Sequence, residues 1–368
     1  MARSGDAYEG LRAGDAVSED VWSASDTSPD EIDDALRRLL RERHAQDNSL
    51  APARVLNLVV VVDREWKGEI ANRLARVGRY HASRTVLCAV EPGRKTLDAR
   101  AVMTYNEPSE GIGLLRELVD IDLGPEHVRH LNTIIDPVIV SDLPTVLWCP
   151  HGHDPAVESL LGLATVLMMD SDDQPDSKAA LERAHELLRS VYVVDLAWLR
   201  TTPWRERVAA AFDPSDRRPE LERVNAVAVR HRDGSAASAL LFAGWLASRL
   251  GWRAGTLSAQ GNGRGGLKGS AHRGDAEISV EMTLVDQQVP GLGGVTVASD
   301  DGFSIALDRS AGGLRARLHA SDGAEQTWRL LGASRGEGGI LGEGVRQALL
   351  RDPTYGPALV AAHAFTKA

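Results

Sequence analysis

An α/β first domain followed by an α+β second domain is the fold class that the sequence predicts, and three observations predict it. First, apolar, β-branched runs such as RVLNLVVVVD (54–63), SRTVLCAVE (83–91), LPTVLWCP (143–150) and ATVLMMDS (164–171) alternate with helix-patterned segments. Continuous apolar strands separated by helices imply a mainly parallel sheet covered by helices. Second, from residue 223 onward the runs alternate apolar with polar residues, as in AEISVEMTL, FSIALD and LRARLHA, the pattern of antiparallel strands with one wet face. Third, the segment DPSDRRPE (213–220) has the prolines and charges of a boundary.

The elements follow in order. Residues 1–24 are acidic and rich in Gly, Ala and Ser, which reads as a flexible N-terminal tail. Within 28–46, Ser28 is placed to cap a helix, Pro29 fits its first position, and Ile32, Leu36, Leu39 and Leu40 form one apolar stripe. A helix over 65–79 and a strand over 97–105 complete the early pattern, and a further helix is expected over 177–190. In DLAWLRTTPWRERVAAAFD (195–213), Thr202 and Pro203 predict a helix start at a Thr-Pro cap. The first domain thus runs from 25 to 213. The second, 220–368, opens with a strand at 223–231 and an apolar helix at 237–252, and ends with two helices. A chain of 368 residues suits two domains of this size.

The net charge of −10 gives no general attraction to nucleic acid or to an anionic membrane. The longest apolar runs are too short to span a bilayer, and the first residues lack an apolar signal core, so a cytoplasmic location is expected. Cys88 and Cys149 sit in or at the end of apolar strands, where buried free thiols are the expectation rather than a disulfide.

Trp198, Arg200, Trp204 and Arg205 are side chains that dominate protein interfaces. They either face a partner or pack the joint between the domains, with the arginines paired to Asp195 and Glu206. Gly261, Gly263 and Gly266 have GxGxxG spacing, but a strand follows them instead of the helix a dinucleotide site needs. The segment 259–275 reads as a mobile basic loop carrying Arg264, Lys268, His272 and Arg273, available to an anion or a partner. Cys149, His151, His153 and Asp154 cluster at a strand end without the separated ligand pairs of a zinc site, so no metal is expected. Arg84 opens a strand, where it binds an anion or pairs with an acid. No nucleophile motif, catalytic site or cofactor site is evident.

Several of these segments, ARVLNLVVVV (53–62), HASRTVLCAV (81–90), DLPTVLWCPHG (142–152), DLAWLRTTPWRE (195–206) and GWLASRLGW (244–252), resemble the glucose-6-phosphate dehydrogenase assembly protein family, known as OpcA. The resemblance implies a non-catalytic subunit of the oxidative pentose phosphate pathway that binds glucose-6-phosphate dehydrogenase and favours its active state. Trp198, Arg200, Trp204 and Arg205 are then the candidate contact residues, with Arg84, Arg264, Lys268 and Arg273 as weaker ones. Where the family often has Trp-Trp-Pro-Gly, this chain has Trp148-Cys149-Pro150-His151-Gly152, and thiol regulation is not carried over. The rival reading is a sugar-phosphate enzyme or sensor working at the strand carboxyl ends near Arg84 and His151.

Overall fold

The computed structural model describes residues 17–46, 54–77, 83–106, 115–260, 266–331 and 337–367. Two compact units divide the chain, Met1–Met169 and Asp170–Ala368. The division falls well before the proline-rich stretch at 213–220, so the helix containing the two tryptophans belongs to the second unit. Proline and charge there mark a surface turn within that unit, not a linker.

In the first unit, in chain order, come β1 (Val17–Ala24), α1 (Pro29–Gln46), β2 (Leu56–Asp63), α2 (Lys67–Val77), β3 (Ser83–Val90), β4 (Asp98–Asn106), β5 (Leu115–Leu123), α3 (Leu131–Ile135), β6 (Thr145–Trp148), α4 (Asp154–Leu160) and β7 (Val166–Met169). Its strands hydrogen-bond in the order β1-β4-β5-β3-β2-β6-β7. The pairs from β5 to β7 are parallel, whereas β1/β4 and β4/β5 are antiparallel. The mainly parallel sheet is therefore present, with an antiparallel edge. Seven of the eight residues of β2 are buried, which is why its sequence LNLVVVV is apolar except at Asn57. Asn57 is tolerated there because its amide donates to the Val140 carbonyl at 2.9 Å and its carbonyl accepts from the Val140 N–H at 3.0 Å.

Part of the expected tail is a strand: Val17–Ala24 pairs in register with Asn106–Ala99 of β4. Residues 1–16 lie outside the described residues. The expected cap of α1 is present as a capping box. The Ser28 hydroxyl accepts from Glu31 N–H at 3.3 Å, and the Glu31 carboxylate accepts from Ser28 N–H at 3.2 Å. A short 3₁₀ turn over Arg64–Trp66 precedes α2. The strand expected at 97–105 is β4, and its neighbour β5, with the less apolar sequence LRELVDIDL, escaped the sequence pattern.

The second unit holds α5 (Ser177–Leu187), β8 (Tyr192–Asp195), α6 (Leu196–Ala211), β9 (Val224–His231), α7 (Ala236–Leu250), β10 (Arg253–Ala259), β11 (Leu267–Arg273), β12 (Ala276–Leu284), β13 (Leu292–Ser299), β14 (Ser304–Ser310), β15 (Gly313–His319), β16 (Glu325–Leu331), α8 (Glu337–Leu350) and α9 (Tyr355–Phe365). Its large sheet has the order β10-β11-β12-β9-β13-β14-β15-β16, antiparallel except for β12/β9. Helices α6, α7 and α9 pack against this sheet, and α7 lies along α9. Gly244 permits that close approach: a Cβ there would fall 2.3 Å from the Ala358 carbonyl oxygen. Burial alternates along the strands. In β12, Ile278, Val280 and Met282 are buried while Ser279 is exposed, so one face of the sheet is covered and the other open.

The basic loop expected over 259–275 is largely strand, because Leu267–Arg273 pairs with Met282–Ala276 of β12. Arg264 lies outside the described residues. Among the described residues, no helix is long and apolar enough to cross a membrane.

Candidate functional site

Helix α6 carries the densest chemistry of the second unit. Its cap is not Thr202. Asp195 at the end of β8 accepts from the Ala197 N–H at 3.0 Å, the helix runs unbroken to Ala211, and Pro203 lies inside it. A helix that starts seven residues earlier turns a different set of side chains inward. The Thr201 hydroxyl donates to the Trp198 carbonyl at 2.7 Å in the turn before the proline.

All four residues expected to contact a partner are buried within the second unit. Trp198 and Trp204 are 2% and 1% exposed. The Trp198 indole N–H donates to Asp352 at 2.9 Å, and the Arg205 guanidinium lies 3.4 Å above the indole ring centre. Arg205 also donates to the hydroxyls of Thr201 and Thr202, both at 2.9 Å, with Asp352 3.8 Å away. Burial pulls its guanidinium down to about 10, against the pull of Asp352, so it stays charged at neutral pH. Arg200 forms a two-pronged pair with Asp170 at 2.7 and 2.6 Å and lies 3.8 Å from Asp172. Arg200 therefore pairs with Asp170 and Asp172, and Arg205 with Asp352, with Glu206 adding its charge to Arg205. The four side chains hold α6 inside its own unit and present no exposed patch.

Around them is a polar network that the sequence pattern did not single out. Asp195 accepts from the Ser171 N–H and hydroxyl at 3.1 and 2.6 Å and from the Tyr355 hydroxyl at 3.2 Å. Asp172 accepts from the Ser238 N–H and hydroxyl at 3.0 and 2.6 Å. Burial, helped by the charge of Asp170, pushes Asp172 up to about 7 and Asp195 up to about 6. The network ties the segment 170–172 to the starts of α6, α7 and α9. Its only advance signal was the acid-rich SDDQPD stretch, which by composition reads as a solvated loop.

In the first unit, the chain runs from β2 to β3 on one side and later returns to β6 on the other side of β2. This makes a topological switch point at the strand carboxyl ends, where open α/β sheets bind ligands. Aromatic and charged side chains gather there, with Trp66 and His151 exposed. The Trp66 ring meets the His151 ring with centres 4.7 Å apart, and His153 Nε2 lies 3.5 Å from the Asp63 carboxylate. Burial lowers the His153 pKa despite Asp63. The turn between β2 and α2 carries Asp63 and Glu65 and no glycine before Gly68, so it presents carboxylates where a pyrophosphate would need backbone N–H groups. A neighbouring cleft of about 400 Å³ is lined by Lys67, Arg100, Asp98, Asp120 and Asp122 among others. Lys67 is already paired to Asp122 at 2.8 Å.

The remaining candidates separate. Arg84 is at the opposite, amino end of β3. It is buried, pairing with Glu117 at 2.9 and 3.3 Å and donating to the Val138 carbonyl at 2.8 Å. It is thus an internal ion pair, completed by Arg54 at 2.5 Å from the same Glu117. Lys268 is exposed on β11 opposite Glu281, and Arg273 donates to the Leu221 carbonyl at 3.2 Å. Cys88 and Cys149 are free thiols, and burial raises both, Cys88 to about 12, so neither is a ready nucleophile. Among the described residues, no group of three or more His, Cys, Asp or Glu is placed to hold a metal ion.

Comparison with known proteins identifies the lineage. Residues 74–186 match the family model described as the glucose-6-phosphate dehydrogenase subunit N-terminal domain, and residues 191–359 match the corresponding C-terminal domain. The chain belongs to the OpcA family. Its relatives include proteins bearing the name OxPP cycle protein OpcA. That of Synechococcus elongatus is 30% identical over 48% of this chain and 41% of its own length. That of Synechocystis sp. is 24% identical over 62% of this chain and 49% of its own length. The chain thus matches less than half the length of these curated relatives. Among solved structures, the transcriptional regulator Gal80p of Kluyveromyces lactis is 7% identical, covering 85% of this chain and 88% of that chain at a TM-score of 0.48. Biliverdin reductase of Synechocystis is 13% identical, covering 85% and 97% at 0.45. Likenesses this distant carry no functional argument.

Proposed function

We propose that this chain is a non-catalytic subunit that binds glucose-6-phosphate dehydrogenase and favours its active oligomeric state. The observation that carries the reading is the match of residues 74–186 and 191–359, in order, to the two domains of a dehydrogenase-subunit family. The chemistry is in keeping with it: Trp66 and His151 stack on each other beside the strand carboxyl ends, and both thiols are raised well above their ordinary range. Activation follows if the chain binds the active arrangement of the dehydrogenase better than the inactive one, by the ratio of those affinities. In this reading Trp198, Arg200, Trp204 and Arg205 act indirectly, by fixing α6 within the unit that meets the partner.

The sugar-phosphate alternative has less behind it. Arg84 and His151 lie at opposite ends of the sheet, and the cleft beside Lys67 has three carboxylates against two cations, which repels phosphate.

The test is dehydrogenase activity across glucose 6-phosphate concentrations, with and without equimolar chain, alongside size-exclusion of the mixture. A lower KM or higher kcat with co-elution supports the proposal. Unchanged kinetics with separate elution overturns it, and turnover of a sugar phosphate by the chain alone would favour the alternative.

A further inference from the structure

The open face of the second unit's sheet carries an unusual grouping. Side chains in register on that face include Arg230 of β9, Asp308 of β14, Arg315 and Arg317 of β15, and Arg329 and Leu331 of β16. Asp308 is shared: it pairs with Arg230 and, at 2.9 Å, with Arg317. Arg315 and Arg329 stand directly opposite each other, both exposed, and neither has an ion pair or hydrogen bond among the described residues. Like charges directly opposite on neighbouring strands are destabilising. Arg315 also faces Asp308 across β14, but that carboxylate is already shared by Arg230 and Arg317, so among the described residues this row sets four arginines against one acid. Beside them Leu331 is 80% exposed, at the end of the edge strand.

We infer that this corner of the sheet, Arg315, Arg317, Arg329 and Leu331, is the docking surface for an acidic, partly apolar face of the dehydrogenase. The inference rests on the proposed function and names the surface that performs it. Charge decides between occupants. The chain is net −10, so four arginines around one aspartate are a local reversal of its own field and complement an acidic partner. A second copy fits less well, because the other end of the same face is balanced, with Arg253 and Lys268 against Glu277 and Glu281. That end offers no acidic surplus to meet the arginines. The apolar Leu331 and the edge position favour a protein surface over a free anion, since arginine is enriched at protein interfaces and a free anion has no use for an apolar neighbour.

The experiment compares dehydrogenase binding by the full chain with that of Arg315→Glu/Arg329→Glu and of Leu331→Ser, at low and raised salt. Circular dichroism and melting temperature report folding, and the milder Arg315→Gln/Arg329→Gln pair serves if the reversal disturbs the strand. The expected result is at least about tenfold weaker binding by the charge reversal, with a flatter salt dependence, at unchanged melting temperature. Equal binding by all variants overturns the surface assignment and leaves the proposed function standing. Absence of binding by the unaltered chain overturns both. If the unaltered chain self-associates and the reversal disperses it while dehydrogenase binding persists, the occupant is a second copy and the inference fails.

Discussion

Arg200 and Arg205 on α6 are enclosed by carboxylates, threonine hydroxyls and an indole face, whereas Arg315 and Arg329 on β15 and β16 stand exposed and side by side, with the nearest acid in register, Asp308, already paired to Arg230 and Arg317. Both groups belong to the same unit and both are of the residue type that interfaces favour. Arginine enrichment in a sequence thus marks a place where a charge must be answered, and the structure decides whether the answer comes from within. On α6 it comes from Asp170, Thr201 and Asp352. On β15 and β16 one acid, Asp308, is set against four arginines, which is the basis for proposing the partner there.

This contrast makes graded predictions. Removing the Arg200 charge leaves the enclosed Asp170 carboxylate with the Asp172 N–H but without its cation, so Arg200→Ala is expected to cost about 3–5 kcal/mol of second-unit stability in denaturant titration. Arg205→Ala loses the indole contact and two hydrogen bonds, with an expected cost of about 1–3 kcal/mol. A third test is pH. Asp172 moves from an ordinary 3.8 to about 7 on folding, and Asp195 to about 6, chiefly through burial. Between those values the folded state holds protons that the unfolded state has lost. Stability contributed by these groups is therefore fully present below the unfolded pKa and falls as pH rises toward 7. Asp172→Asn should flatten the dependence of melting temperature on pH in that window; an unchanged slope would mean the carboxyl is already ionised. The smallest effect belongs to the surface. Arg315→Ala or Arg329→Ala should leave stability within about 0.5 kcal/mol or raise it slightly, since a repulsion is removed. A large loss there would place these arginines among the structural ones and erase the contrast.

The sequence pattern revealed the parallel strands β2, β3, β6 and β7 because burial on both faces forces continuous apolar runs. It also revealed the alternation that opens one face of the second sheet. It missed β5, whose Arg116, Glu117, Asp120 and Asp122 break the run, and β1, whose composition is that of a tail. The Thr-Pro start was misread because proline inside a helix is normally excluded, and only the Asp195 cap shows that the helix began earlier. The site was the least legible part. Trp198 and Arg200 are conspicuous in a sequence, but the aspartates that absorb Arg200 lie some thirty residues away, at Asp170 and Asp172, and their pairing depends on the fold. Arg315 and Arg329 were passed over because each lies in a different strand. Only the register sets them opposite each other.

Hydrogen exchange of this chain with and without the dehydrogenase tests the contrast most directly. New protection is expected over residues 313–331, with α6 at 196–211 equally protected in both states. Protection gained at 196–211 with none at 313–331 would contradict the account and return the contact to the tryptophan helix.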